Sequence, residues 1–202
     1  MTFSLTFIVA LFCYSISFSQ SYEISILGIT VAQAEQKVLN NENKYLIKSE
    51  AILDLFYPLD NKYITSYDST DYSIISFNKV ISENNYNLDL EAKIDSSGNL
   101  IYDGKHVISL LDKTKNIFLL LTMVQKEPYQ SIDTKWYNYE HEGKIGQARF
   151  VWADSSNVLI GKDSVLCDHY RLDIKFNQPS EDLYKETDYF MKSILIENMT
   201  RE

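Results

Sequence analysis

The chain has 202 residues, 45% hydrophobic and 23% charged, with a formal net charge of −9 and a pI near 4.8. That length suits one domain, and that composition excludes a disordered chain. The acidic balance, without a dense Lys/Arg cluster, excludes nucleic acid and anionic lipid surfaces as general partners, because both repel it.

Met1 to Gln20 carries no charged side chain, and Leu5 to Phe12 is a nearly unbroken apolar run. The run is shorter than the ~20 residues that cross a bilayer. It has the character of the apolar centre of a secretory signal. Ser17 and Ser19 put small residues at the positions a signal peptidase requires, so the reading is a signal peptide over 1–19 and one β domain over 20–202. Cys13 does not qualify for lipidation, since Phe12 stands where a small residue is needed. The exported chain, periplasmic or secreted, then keeps a single cysteine, Cys167, expected as a small buried hydrophobe. No second stretch is apolar over a membrane-spanning length.

Strand patterns dominate the rest. Tyr22, Ile24 and Ile26 alternate with Glu23 and Ser25, and Tyr45, Ile47, Ser49 and Ala51 with Leu46, Lys48 and Glu50. Tyr86, Leu88, Leu90, Ala92 and Ile94 alternate strictly with Asn87, Asp89, Glu91, Lys93 and Asp95. Ser96 to Asn99 then turns, Leu100 to Tyr102 returns, and Asp103-Gly104 turns again. Tyr170, Leu172, Ile174 and Phe176 repeat the alternation. One-faced alternation marks antiparallel sheets with one wet side. Further breaks are read at Gly28, Asn40 to Asn43, Asp60-Asn61, Asp68 to Asp71, Glu83 to Asn85, Gly143, Asp154 to Asn157 and Gly161 to Asp163.

Two segments read as helix. Thr114 to Lys126 has Ile117, Leu120, Leu121 and Val124 at helical spacing, with Thr114 as cap and Pro128 as stop. Phe118, Leu119 and Met123 make it apolar on most sides, so it should be buried inside a curved sheet. Glu181 to Met199 places Leu183, Thr187, Phe190, Ile194 and Asn198 at helical spacing after Ser180, with a strand as the alternative.

No nucleophile motif, phosphate-binding glycine loop or Cys-x-x-Cys is present, and nothing implies a cofactor. Glu140-His141-Glu142 has metal-ligand residue types. On a strand the two glutamates face one way and the histidine the other, so it reads as a solvated acidic strand. Asp168-His169 is split by the same alternation. Fifteen tyrosines and ten phenylalanines are the unusual feature. Phe56, Tyr57, Tyr63, Tyr67, Trp136 and Tyr139 are the candidates for an aromatic-lined groove, and cross-strand packing is the competing account. Pro58 holds Tyr57 extended, so Phe56 is expected to fold into the mouth of a barrel with Tyr57 along its rim.

Tyr22-Glu23-Ile24-Ser25-Ile26-Leu27-Gly28-Ile29-Thr30-Val31-Ala32, Leu53 to Tyr63 and Gly161 to Tyr170 resemble three segments of the exported bacterial family called domain of unknown function 3108. They resemble its opening strand pair, an aromatic turn before a strand, and a late cysteine-containing strand pair. Ala32 stands where that family has glycine. The family's closing Trp-containing strand is not found before Glu202, as though the last strand were missing. The resemblance implies export and a β fold without naming an activity.

The expected architecture is a curved antiparallel sheet forming an open barrel or roll around one buried helix, with a second helix near the C-terminus. The expected function is a non-catalytic envelope binding or structural protein whose aromatic groove takes an amphipathic lipid or glycan. The alternative is a hydrolase of envelope polymers using an Asp/Glu pair.

Overall fold

The computed structural model describes residues 18–26, 29–160, 162–177, 183–184 and 187–195. Of the proposed signal peptide, residues 1–17 lie outside that range, as does the break at Gly28. Eight strands form one antiparallel meander in which every strand pairs with its sequence neighbour: β1 (Phe18–Ile26), β2 (Ile29–Leu39), β3 (Glu42–Ser49), β4 (Asp60–Tyr67), β5 (Ile74–Glu83), β6 (Tyr86–Ile94), β7 (Asn99–Tyr102) and β8 (His106–Ser109). A second sheet has the order β11-β10-β9, from β9 (Tyr137–His141), β10 (Lys144–Ile160) and β11 (Asp163–Phe176). Helix α1 (Ala51–Phe56) joins β3 to β4; α2 (Ile117–Lys126) and α3 (Tyr129–Ile132) join the sheets; α4 (Tyr189–Leu195) follows β11. The protein is thus mainly antiparallel β, and the large sheet does not close into a barrel.

Local chemistry explains the tight turns. Asn40 and Asn41 take φ of 48° and 63°, and Glu142 and Gly143 take 46° and 92°, the left-handed pairs that match hairpin twist. At Gly146 the constraint is space: a Cβ there would lie 2.4 Å from the Lys175 carbonyl oxygen.

Burial follows the alternation. Along β6, Leu90 and Ala92 are fully buried while Asp89, Glu91 and Lys93 are exposed. Helix α2 packs on β3, β4 and β9. Phe118 is its hub, with ring centroids 4.8 Å from Tyr63, 5.1 Å from Tyr45, 5.7 Å from Phe190 and 5.9 Å from Phe77. The helix is buried as its sequence implies, but it begins later. Asn116 caps it by accepting the Leu119 N–H at 3.1 Å, while the Thr114 hydroxyl turns back to the Leu111 carbonyl. The C-terminal helix begins after Asp188, with 183–184 and 187–188 not helical; positions 181–182, 185–186 and 196–199 of that reading lie outside the described residues.

Several expectations are corrected. Asp60-Asn61 opens β4 instead of breaking the chain, and Asp154 to Asn157 lies within β10. A register shift between Trp152 and Asp154, a β-bulge, absorbs that polar stretch without ending the strand. Cys167 is half-exposed, because its part of β11 runs beyond the core. Phe56 is not core: Ala51 to Phe56 forms a short helix before Pro58, which turns Leu55 and Phe56 outward, 80% and 78% exposed. Tyr57 is 37% exposed, beside a sheet that has no barrel mouth for it to rim.

Phe56→Ala should therefore change stability by no more than about 0.5 kcal/mol. Phe118→Ala should cost about 3–5 kcal/mol. Chemical denaturation of both variants checks this; equal midpoint shifts would show that the assignment of surface and core is wrong.

Candidate functional site

The inward face of β5 runs Phe77, Lys79, Ile81, Glu83, all at most 3% exposed. A charged lysine in this stripe needs compensation, since desolvating an unpaired ammonium costs several kcal/mol. Three groups from outside the large sheet supply it. Lys79 Nζ donates to Glu142 Oε1, to Asp188 Oδ2 at 2.9 Å and to Thr187 Oγ1 at 2.9 Å. Thr187 Oγ1 donates in turn to Glu142 Oε2 at 2.6 Å. Asp188 Oδ1 accepts from Tyr63 OH at 2.7 Å and from Met191 N at 2.9 Å, so the same carboxylate caps α4. Burial pulls the Lys79 pKa down, but attraction to Glu142 and Asp188 outweighs it and holds the amine above its usual value. Lys115 shows the contrary balance. It is 3% exposed, its amine meets the Lys113 carbonyl at 3.0 Å and the Tyr137 ring, and burial leaves its pKa lowered.

Glu83 extends the cluster toward α1. It accepts from Asn61 Nδ2 at 2.6 Å, from the Tyr189 N–H at 3.2 Å and from Tyr57 OH at 3.5 Å.

Glu140-His141-Glu142, read from sequence as a solvated strand, is buried throughout, each residue at most 7% exposed. The hairpin turn at Glu142-Gly143 explains this, because it tucks the end of β9 under the large sheet. Glu140 Oε1 accepts from Tyr102 OH at 2.5 Å and from the Gly143 N–H at 2.7 Å. Burial pushes the Glu140 pKa up to about 7, more than those two hydrogen bonds lower it. His141 Nε2 lies 3.1 Å from the Met191 carbonyl, which only accepts, so Nε2 carries the proton and Nδ1 accepts from Tyr139 OH at 3.0 Å. Burial lowers the His141 pKa to about 4. These groups are buried and bonded to neighbouring elements, which ties the end of β9 to β7 and α4. Among the described residues, no three or more His, Cys, Asp or Glu side chains are placed to hold a metal ion.

The six aromatic candidates do not come together. Tyr63, Tyr67 and Tyr139 are core, at most 2% exposed. Tyr67 stacks on Tyr72 at 5.8 Å and accepts from Lys126. Trp136 immediately precedes β9, 42% exposed, under the Arg149 guanidinium at 4.6 Å. Phe56 and Tyr57 remain at the α1 turn. Beside them opens a cleft of about 380 Å³ lined by Lys48, Ser49, Asp54, Pro58, Leu59, Asp60, Ser82 and Asn84. Ser49 Oγ donates to Asp54 at 2.7 Å, and Lys48 pairs with Asp60 at 3.0 Å, both largely in solvent. Sequence reasoning missed this cleft, because scattered charges at strand and helix ends look like any surface. It also missed Lys79, although a lysine between Phe77 and Ile81 on one strand face was a readable signal.

Two opposed proton preferences follow. Glu140 titrates near 7 in the fold against an ordinary 4.5, so its contribution to stability is lost as pH rises across that interval. His141 titrates near 4 against an ordinary 6.5, so its contribution is lost as pH falls across that one. The slopes cancel where the intervals overlap. Glu140→Gln removes one of them, so relative to the unmutated protein it should gain about 1.4 kcal/mol for each pH unit raised within the Glu140 interval. Urea titrations near both ends of that interval check this, and a pH-independent difference would refute it. Lys79→Ala should cost about 3–5 kcal/mol by stranding two buried carboxylates. Lys79→Met with Asp188→Asn and Glu142→Gln should cost less than that single change.

Compared with known proteins, the chain matches no family model, no curated protein and no solved structure.

Proposed function

We propose that the chain is an exported, non-catalytic binding or structural protein of the cell envelope, engaging an amphipathic lipid or glycan at the α1 turn and its cleft. The supporting observation is the pair Leu55 and Phe56, 80% and 78% exposed between Asp54 and Pro58, which both line the cleft. Large apolar side chains side by side in water beside a polar recess suit a ligand with one apolar and one polar part. Export rests on the apolar run Leu5 to Phe12, and the resemblance to domain of unknown function 3108 agrees with it. No helix among the described residues is long and apolar enough to cross a membrane.

A hydrolase reading keeps one observation in its favour, the two carboxylates Asp54 and Asp60 in one cleft. A general acid, however, works in a desolvated or like-charged setting. Asp60 is 59% exposed beside the Lys48 amine.

Native mass spectrometry of the protein taken from its own envelope should show a retained lipid or glycan, lost in Leu55→Ser/Phe56→Ser at unchanged thermal stability. Retention by that variant would remove the α1 turn from the reading. Turnover of envelope polymers that Asp54→Asn abolishes would favour the hydrolase.

A further inference from the structure

Strands β10 and β11 run on past the core as a two-stranded arm. β9 pairs only with Lys144 to Ala148 of β10, while the β10–β11 ladder continues to Ile160 and Asp163. The outer arm carries Leu159 at 76%, Leu166 at 67%, Val165 at 42% and Val158 at 39% exposure. A two-stranded ribbon with apolar residues on both faces has nothing of its own to bury them against. β11 is also an edge strand of fourteen residues, with no strand on its outer side among the described residues.

We infer that this edge pairs with the β11 edge of a second copy, antiparallel about a twofold axis at Cys167, joining two three-stranded sheets into one of six. The inference is independent of the ligand reading. The Asn177 N–H donates to the Ile145 carbonyl of β10 at 3.0 Å, so by alternation the odd-numbered residues of β11 turn their backbone groups to β10. Asp163 therefore points its backbone groups at β10. By alternation, Ser164, Leu166, Asp168 and Tyr170 offer theirs to the open edge. A twofold axis normal to a sheet pairs residues of like parity only, which leaves few registers. Centring on Asp168 opposes Asp168 to its own copy and Asp163 to Asp173. Centring on Cys167 sets Asp163 opposite Arg171 of the second copy, twice over. On the other face Leu166, 67% exposed in one copy, lies opposite Asp168 of the second and diagonal to its Leu166 and to its Tyr170, which already packs on Phe150. The two Cys167 residues fall at a non-hydrogen-bonded pair, where Cα atoms lie about 4.5 Å apart, within disulfide reach. The thiol is thus a reporter of the register, while the charges and the open edge carry the association.

The test uses the chain made in its own host with Cys13→Ser, so that Cys167 is the single thiol. Sedimentation should show a concentration-dependent dimer. Arg171→Asp and Asp163→Arg should each weaken it by at least about tenfold, and the double exchange should restore it. Copper–phenanthroline should take two electrons from the paired thiols, with release of two protons, giving a disulfide-linked dimer that Cys167→Ser abolishes. A chain that stays monomeric into the millimolar range overturns the inference. So does a dimer that ignores the single charge reversals or fails to cross-link through Cys167.

Discussion

The ion cluster at Lys79 is the interaction on which the arrangement of the remaining elements depends. The meander supplies the lysine on β5 but leaves it short of counter-charge on its own concave face. Glu142 arrives from the turn after β9, and Thr187 and Asp188 from the segment leading into α4. A cluster of this kind adds little net stability over an apolar replacement, because desolvation offsets most of the attraction. What it specifies is position: a displaced turn or helix strands a buried charge, whereas displaced apolar surfaces can slide and repack. Tyr63 extends the same logic, contacting Asp188 through its hydroxyl and Phe118 through its ring.

The concave face as a whole is more polar than a β core usually is. A chain of hydrogen bonds runs from Gln125 to Tyr22, Gln36, Asn43 and Thr122, ending on the Phe118 carbonyl. It ties β1, β2 and β3 to α2 without a single charge. The Tyr45 hydroxyl lies in the same region, buried and without an aligned partner among the described residues. Farther along, Glu140 and His141 exchange their usual roles: the fold favours the protonated carboxyl and the neutral imidazole, both because burial penalises charge.

The sequence disclosed elements far better than it disclosed surroundings. Strict alternation from Tyr86 to Ile94 and the apolar character around Phe118 name a strand and a buried helix, because periodicity is a property of one segment. Whether Glu140, His141 and Glu142 meet water depends on which sheet covers them, and that is decided by the turn at Gly143 and by residues far away in the chain. Phe56 failed for a related reason. Its apolarity argued for burial, but Pro58 ends the helix at a point that turns the side chain outward. The polar stretch Asp154 to Asn157 looked like a loop because nothing local reveals that a neighbouring strand will hold it. The cleft beside α1 is legible only after β3, α1 and β4 are assembled, since none of its walls carries a pattern.

The meander has a consequence for the order in which the molecule assembles. Each of its strands after the first meets the strand made just before it, so nearly all of that sheet can form from contacts close in sequence, which favours rapid formation. The Lys79–Asp188 contact spans 109 residues and cannot close until Asp188 has been made. Until then, among the described residues, the amine has Glu142 as its carboxylate partner, and the concave face stays open around it. Completion of the core thus waits for the segment around Asp188. A chain interrupted before Asp188 would hold a finished sheet around an unfinished centre, the sort of species that proteases and chaperones recognise by its exposed interior.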